Sequence, residues 1–155
     1  MIKVQNMMTE NVITISKDSS IIEAANLITS KSVSGLVVVE NDKPIGVISE
    51  SDIIKGVINK KVKVKDVMDK DFIAISPTTK FFEVSKYLRE KKIKRFPVVE
   101  NEKLIGLITE TDIVEATRDF TRFHQIVQEV ILAIFGLATA FFLFYFSPIG
   151  KSIFR

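Results

Sequence analysis

One short motif of this sequence carries residue types that can bind a ligand, and it occurs twice. Residues 46–52 and 106–112 share a pattern of Gly, two apolar residues, Ser or Thr, two further residues and Asp. The hydroxyl of Ser49 or Thr109, three residues before a carboxylate, is typical of a helix N-terminus that these groups cap. The same geometry suits a nucleoside phosphate, because a helix N-terminus attracts anions and a carboxylate there can bind a ribose diol.

The glycine of the motif also has two interpretations. Gly46 and Gly106 either relieve crowding inside a strand or allow a ligand to approach the backbone closely. The motif by itself is compatible with a purely structural helix cap and with a nucleotide site.

The motif belongs to a longer duplication in which every match is separated by 60 residues. The other matches include Met8 with Met68, Glu23 with Glu83, and residues 38–41 with residues 98–101, and they need no gap. Such a match identifies an internal repeat. We place the two repeats in residues 1–60 and 61–119, with residues 4–58 and 64–118 as the matching copies.

Each repeat predicts the element order β-α-β-β-α. In the first repeat, extended residues 12–16 precede an amphipathic helix at 20–29, which Ser20 and Glu23 begin as a capping box. Strands at 36–39 and 45–48 follow, joined by a tight turn, and a last helix begins near the motif hydroxyl. The second repeat has its equivalents at residues 72–76, 80–90, 96–99 and 105–108.

A unit of about 55 residues buries little surface by itself. We therefore expect an α+β fold in which two pseudo-symmetric β-α-β-β-α units pack through their sheets, followed by one C-terminal hydrophobic helix.

Composition narrows the classes of function. The formal net charge is +3, but residues 120–155 hold three of the basic residues and one of the acidic residues, so the rest of the chain is nearly neutral. Nucleic-acid binding needs clustered cations, and we expect no nucleic-acid partner. With one histidine and no cysteine, we expect no catalytic residues, no metal site and no enzyme activity.

The C-terminal part of the chain predicts a membrane helix. Residues 130–150 contain no charged side chain, and as a helix they would extend about 31 Å, close to the roughly 30 Å of a bilayer core. We predict a transmembrane helix there, an amphipathic juxtamembrane helix at 120–129 and a short tail at 151–155. The alternative is a helix buried in a dimer partner or another protein. Because the N-terminus lacks the apolar core of a signal peptide, we expect the repeats to lie in the cytoplasm.

Residues 4–118 resemble a tandem pair of cystathionine-β-synthase (CBS) domains, also called a Bateman module. The resemblance is carried by the two motifs, by the segments that start at Met8 and Met68, and by the Arg-Phe-Pro-Val-Val strand at residues 95–99. It implies two clefts between the repeats that bind AMP, ADP, ATP or an S-adenosylmethionine-like ligand. It implies no catalytic cofactor.

The resemblance also implies which residues bind the ligand. Ribose falls to Asp52 and Asp112, with Ser49 and Thr109 beside them. The residues implied to line adenine are Thr14, Ile15, Ala74, Ile75, Phe96, Ile48 and Ile108. For Phe96 and the isoleucines, packing in the core is an equal alternative.

The two clefts are expected to differ. Lys94 and Arg95 stand where this family often places a phosphate-binding base, although a solvated helix end is the alternative. The first repeat has Gly35 at the position of Arg95 and lacks such a base. We expect Asp112→Ala to weaken nucleotide binding, and we extend the same expectation to Asp52.

Together these observations predict a membrane-anchored regulatory or sensor module. It would bind an adenosyl ligand and pass a change of shape or dimer geometry to a partner at the membrane. We also expect a homodimer. The alternative is a ligand-free CBS module that serves as a dimerisation scaffold for a membrane partner.

Overall fold

The computed structural model describes residues 2–91 and 93–146, the side chains of residues 119 and 120 excepted. The described residues form two compact units, divided between Val114 and Glu115.

The first unit contains both repeats. The first repeat consists of a short 3-10 helix (Val4–Asn6), β1 (Thr14–Ser16), α1 (Ile21–Lys31), β2 (Gly35–Glu40), β3 (Lys43–Ser49) and α2 (Glu50–Ile58). The second consists of a 3-10 helix (Val64–Asp66), α3 (Phe81–Lys91), β4 (Arg95–Glu100), β5 (Lys103–Thr109) and the start of α4 (Glu110–Phe146). The predicted helices and hairpins therefore begin within two residues of their expected positions.

Local sequence signals place these elements. The Oγ of Ser20 accepts a hydrogen bond from the backbone N–H of Glu23 at 3.1 Å, which caps α1. Each hairpin turns through two residues with positive φ. These are Asn41 and Asp42 (51° and 64°) in the first repeat, and Asn101 and Glu102 (49° and 65°) in the second. This type I′ geometry matches the right-handed twist of the strands that it joins.

The two sheets have different sizes. The first repeat forms a three-stranded sheet in the order β1-β2-β3, in which β1 is parallel to β2 and β3 is antiparallel to it. The second repeat forms a two-stranded antiparallel sheet from β4 and β5.

The first strand of the second repeat is shorter than predicted. Of residues 72–76, Ile75 alone bridges to β4, in the parallel sense. Pro97 in β4 provides the reason. Its equivalent in β2, Val37, donates its N–H to the carbonyl of Ile13 at 3.3 Å, whereas proline has no N–H to donate. The ladder therefore ends early in the second repeat.

The repeats exchange their leading segments. Val4, at the start of the first repeat, is fully buried in the core of the second, and Val64 is fully buried in the core of the first. The N–H of Val4 donates to the carbonyl of Thr79 at 3.0 Å, and the N–H of Val64 donates to that of Ser19 at 2.9 Å. Each repeat thus completes the core of the other, and β3 and β5 lie next to each other across their boundary.

A substitution at Val64 tests this exchange. We expect Val64→Ala to lower the free energy of unfolding by about 2 kcal/mol, because it removes buried methyl groups and leaves a cavity. Val62→Ala is the matched control: Val62 is 65% exposed, and its loss should cost less than about 0.5 kcal/mol. Urea denaturation followed by circular dichroism measures both, and equal losses would contradict the docking of this segment.

A single helix continues beyond the repeats. α4 extends from Glu110 to Phe146 without a break, so the predicted juxtamembrane helix at 120–129 and the described part of the predicted span belong to one helix. The end of that span and the predicted tail, residues 147–155, lie outside the described residues.

Within the second unit, the apolar side chains of α4 are exposed, with Leu137 at 74%. The hydroxyl of Thr139 donates to the carbonyl of Phe135 at 2.7 Å, so this polar group is satisfied inside the helix. By length and composition alone, α4 could cross a membrane.

Candidate functional site

The hydroxyl and carboxylate of the first motif cap α2. The backbone N–H and the Oγ of Ser49 both donate to Oδ2 of Asp52, at 2.9 and 2.5 Å. In return, Oγ of Ser49 accepts the backbone N–H of Asp52 at 3.3 Å. This reciprocal arrangement is a capping box, so the structural interpretation of the motif is confirmed here.

The second motif repeats this geometry at the start of α4. The N–H and Oγ1 of Thr109 donate to Oδ2 of Asp112 at 2.7 and 2.8 Å, and Oγ1 accepts the N–H of Asp112 at 3.4 Å. Among the described residues, the hydrogen bonds found for Asp52 and Asp112 use Oδ2. Capping therefore leaves Oδ1 of each half-buried carboxylate available to a ligand.

The motif glycines make room for methionines of the opposite repeat. A Cβ at Gly46 would lie 3.0 Å from the sulfur of Met68, and one at Gly106 would lie 2.5 Å from the sulfur of Met8. These contacts support the relief of crowding as the interpretation of both glycines.

The largest cavity described beside the motifs, which we call cleft A, has a volume of about 640 Å³. Val47, Ser49 and Asp52 of the first repeat form one side of it. The second repeat contributes Asp69, Asp71, Phe72, Ile73, Lys91, Ile93, Lys94 and Arg95. Cleft A therefore joins a carboxylate of one repeat to the basic residues of the other.

A second cavity, cleft B, is the counterpart of cleft A with the repeats interchanged. It has a volume of about 230 Å³. Its lining residues are Thr9, Asn11, Val12, Ile13, Ser32, Val33, Ser34, Gly35, Leu107 and Thr109, together with Arg95. Except for Ser32 and Arg95, each of these residues has an equivalent, 60 residues away, that lines cleft A. This holds for nine residues.

A third cavity of about 540 Å³ lies between the starts of α2 and α4. We call it the central cavity. It is lined by Ser34, by residues 49–51 and 109–111, and by Lys94 and Arg95. Lys94 and Arg95 thus border both cleft A and the central cavity.

Arg95 is half-buried and its side chain is hydrogen-bonded to the first repeat. Its guanidinium donates to the carbonyl of Ser34 and, at 2.8 Å, to the Oγ of Ser34. Burial lowers the pKa of Arg95 from its ordinary value, and the carboxylates of Asp52 and Glu50 oppose that shift. Lys94 is exposed and its Nζ lies 3.3 Å from Oε2 of Glu110. The interpretation as a solvated helix end therefore does not apply to Arg95.

The residues expected to line adenine are placed differently. Ile15 and Ile48 are buried in the core of the first repeat, and Ile75, Phe96 and Ile108 are buried in that of the second. Side chains alternate along a strand, and the neighbours Val47 and Arg95 line cleft A while Leu107 lines cleft B.

Thr14 and Ala74 are exposed. Thr14 lines a separate cavity of about 300 Å³, which Lys103 and Asp42 also line. The residues that the sequence analysis missed are mainly Val47, Phe72, Ile73 and Ile93. The alternation of strand residues around Ile48 was the signal that could have identified Val47.

Comparison with known proteins agrees with this architecture. A family model described as the CBS domain matches residues 4–59 and 64–119. The protein MJ1232 of Methanocaldococcus jannaschii is 38% identical over 115 residues, which are 74% of this chain and 39% of that protein. The chain spans between 23 and 44% of the length of the first three curated relatives that it matches.

Two of the crystal structures that share the fold contain a bound adenosine derivative. One is the CBS domain pair of protein MJ0100 in complex with 5′-methylthioadenosine and S-adenosyl-L-methionine, with a TM-score of 0.72 and 23% identity, covering 77% of this chain and 98% of that one. The other is CBSX2 in complex with AMP, with a TM-score of 0.71 and 26% identity, covering 78 and 99%. With both repeats matched by the family model, this chain belongs to the CBS domain family as a tandem pair.

Proposed function

We propose that this chain is a regulatory module that binds an adenosyl ligand between its two CBS domains and is anchored in a membrane by α4. The ligand is an adenine nucleotide or an S-adenosylmethionine-type molecule. The observation that carries the proposal is cleft A, in which the Asp52 carboxylate faces a cation from the opposite repeat.

The chemistry of cleft A suits the parts of a nucleotide. Oδ1 of Asp52 is an acceptor for the hydroxyls of a ribose. Phe72, Ile73 and Ile93 supply an apolar wall against which a purine can pack. Arg95 offers a planar group of donors that matches the geometry of a phosphate or a carboxylate.

Relatives in the family support the same ligand class. One similar CBS pair was crystallised with 5′-methylthioadenosine and S-adenosyl-L-methionine, and another with AMP. We assign ribose to Asp52 with Ser49 in cleft A; Asp112 with Thr109, which lines cleft B, is the equivalent pair of the second motif. Within the clefts we assign no catalytic step, and the output is a change of shape that a partner detects.

The membrane part of the proposal is supported by α4. Between residues 130 and 146 it carries no charged side chain, and its apolar side chains are exposed. An exposed surface of this kind needs a lipid or protein environment. We propose the membrane, with the CBS domains on the cytoplasmic side.

Ligand binding is tested on the full chain in detergent micelles by thermal unfolding with AMP, ADP, ATP, S-adenosylmethionine and methylthioadenosine. A ligand that binds the folded state at 100 times its Kd should add about 2.7 kcal/mol of stability and raise the melting temperature. Calorimetric titration then gives its affinity. Unchanged melting with all five compounds would contradict the ligand site.

A ligand-free scaffold is the second candidate function. It is favoured by exposed apolar side chains on the helices of the first repeat, Ile22 at 69%, Ile54 at 60% and Ile58 at 73%. Surfaces of this kind commonly mark protein contacts, and we propose that a second copy of the chain covers them. Light scattering should show a dimer. A dimer that binds none of the five compounds would favour the scaffold.

A further inference from the structure

The first residues of β2 and β4 occupy equivalent positions in the two repeats but have very different side chains. Gly35 opens β2 and pairs with Ser49, while Arg95 opens β4 and pairs with Thr109. In a pair of identical repeats, both positions would carry the same side chain and the two clefts would be alike.

The side chain of Arg95 extends across the repeat boundary to Gly35, its equivalent in the first repeat. Its guanidinium binds both the carbonyl and the hydroxyl of Ser34. A Cβ on Gly35 would lie 2.6 Å from Nε and 2.7 Å from Cζ of Arg95. The arginine can lie in this place because the opposite repeat has a glycine there.

This arrangement accounts for the unequal cavities. Several side chains that line cleft B are smaller than their equivalents in cleft A, with Val12 in place of Phe72 and Val33 in place of Ile93. Cleft B is nevertheless the smaller cavity, at about 230 Å³ against about 640 Å³. Arg95 lines both cavities, and its guanidinium occupies the space in front of Gly35, a residue that lines cleft B.

We infer that Arg95 determines the specificity and stoichiometry of this module: its side chain narrows cleft B and supplies the cation of cleft A, so that each chain binds one adenosyl ligand and prefers an anionic one. The inference rests on the proposed function, since it concerns the ligand of the same clefts. One guanidinium serves one phosphate, and in this structure its Nη2 donates to the carbonyl and the hydroxyl of Ser34.

Equilibrium dialysis of the full chain in micelles, with adenosine and AMP as probes, tests this inference. The wild type should bind one adenosine per chain, and AMP about 10 to 100 times more tightly, as expected for charge-assisted hydrogen bonds. Arg95→Gly makes position 95 equal to position 35. It should bind two adenosines per chain and lose most of the preference for AMP. Arg95→Ala, which keeps a side chain in the strand, should behave in the same way.

Arg89→Ala is the matched control, because Arg89 is an exposed arginine on α3 of the same repeat and lines neither cleft A, cleft B nor the central cavity. It should leave the stoichiometry at one. Adding Asp112→Ala to Arg95→Gly should remove the second adenosine. Two adenosines on the wild type, or one on both Arg95 variants, would overturn the inference while leaving the proposed function intact. No binding to any of these proteins would overturn both.

Discussion

Asp52→Ala is expected to weaken AMP binding to the full chain by about 10- to 100-fold, because the ribose hydroxyls lose a charged acceptor. Calorimetric titration measures this loss. The substitution also removes two hydrogen bonds that cap α2, so the chain should lose about 1 kcal/mol of stability at the same time.

Asp112→Ala separates these two effects. The capping geometry of Asp112 on Thr109 is nearly that of Asp52 on Ser49, so both variants should lose similar stability in a thermal melt. Asp112 belongs to the second motif, whose hydroxyl lines the narrow cleft B, and its loss should change AMP affinity less than twofold. Equal losses of affinity in both variants would mean that AMP binding reports helix capping alone.

This expectation reverses the emphasis that the sequence suggested. Arg95 and Asp112 both belong to the second repeat, whereas Asp52 belongs to the first. Each cleft is built from both repeats, so Arg95 shares cleft A with Asp52 instead. The pairing of acid and base follows from the packing of the repeats and not from their distance along the chain.

Leu137→Arg is expected to remove the full chain from the membrane fraction. An arginine in the middle of a spanning helix costs about 2.5–3.5 kcal/mol on the insertion scale, which is roughly a hundredfold change in an insertion equilibrium. The wild type should stay with membranes through a carbonate wash. A shortened chain ending at residue 119 should remain in the supernatant.

Phe123→Arg is the control for this experiment. Phe123 and Leu137 lie on the same helix and are both exposed, at 63 and 74%, but Phe123 precedes the uncharged segment. A helix surrounded by water would tolerate both arginines equally well, whereas a spanning helix would reject the one at position 137. Release of the wild type by carbonate would show a peripheral helix or one covered by a partner.

The features that could be predicted from the sequence depend on residues close together in the chain. The hairpins follow from short apolar runs such as residues 36–39 and from turns whose two central residues accept positive φ, as at Asn41 and Asp42. The caps of α1 and α2 follow from a hydroxyl three residues before an acid. Each of these signals acts over a few residues. The hairpin turn and the motif cap recur 60 residues later, whereas the equivalent of Ser20 is Lys80.

The tertiary structure decided the features that depend on distant residues. Pro97 shortens a strand because its neighbour in the sheet needs an N–H, and Val4 and Val64 complete the cores of the opposite repeats. Ile48 faces a core while Val47 faces cleft A, and this choice depends on which face of the sheet the other repeat covers. The sequence by itself determined the two repeats, their helix caps and the apolar helix. Their packing decided the composition of the clefts, because the cleft walls come from residues that only the folded chain brings together.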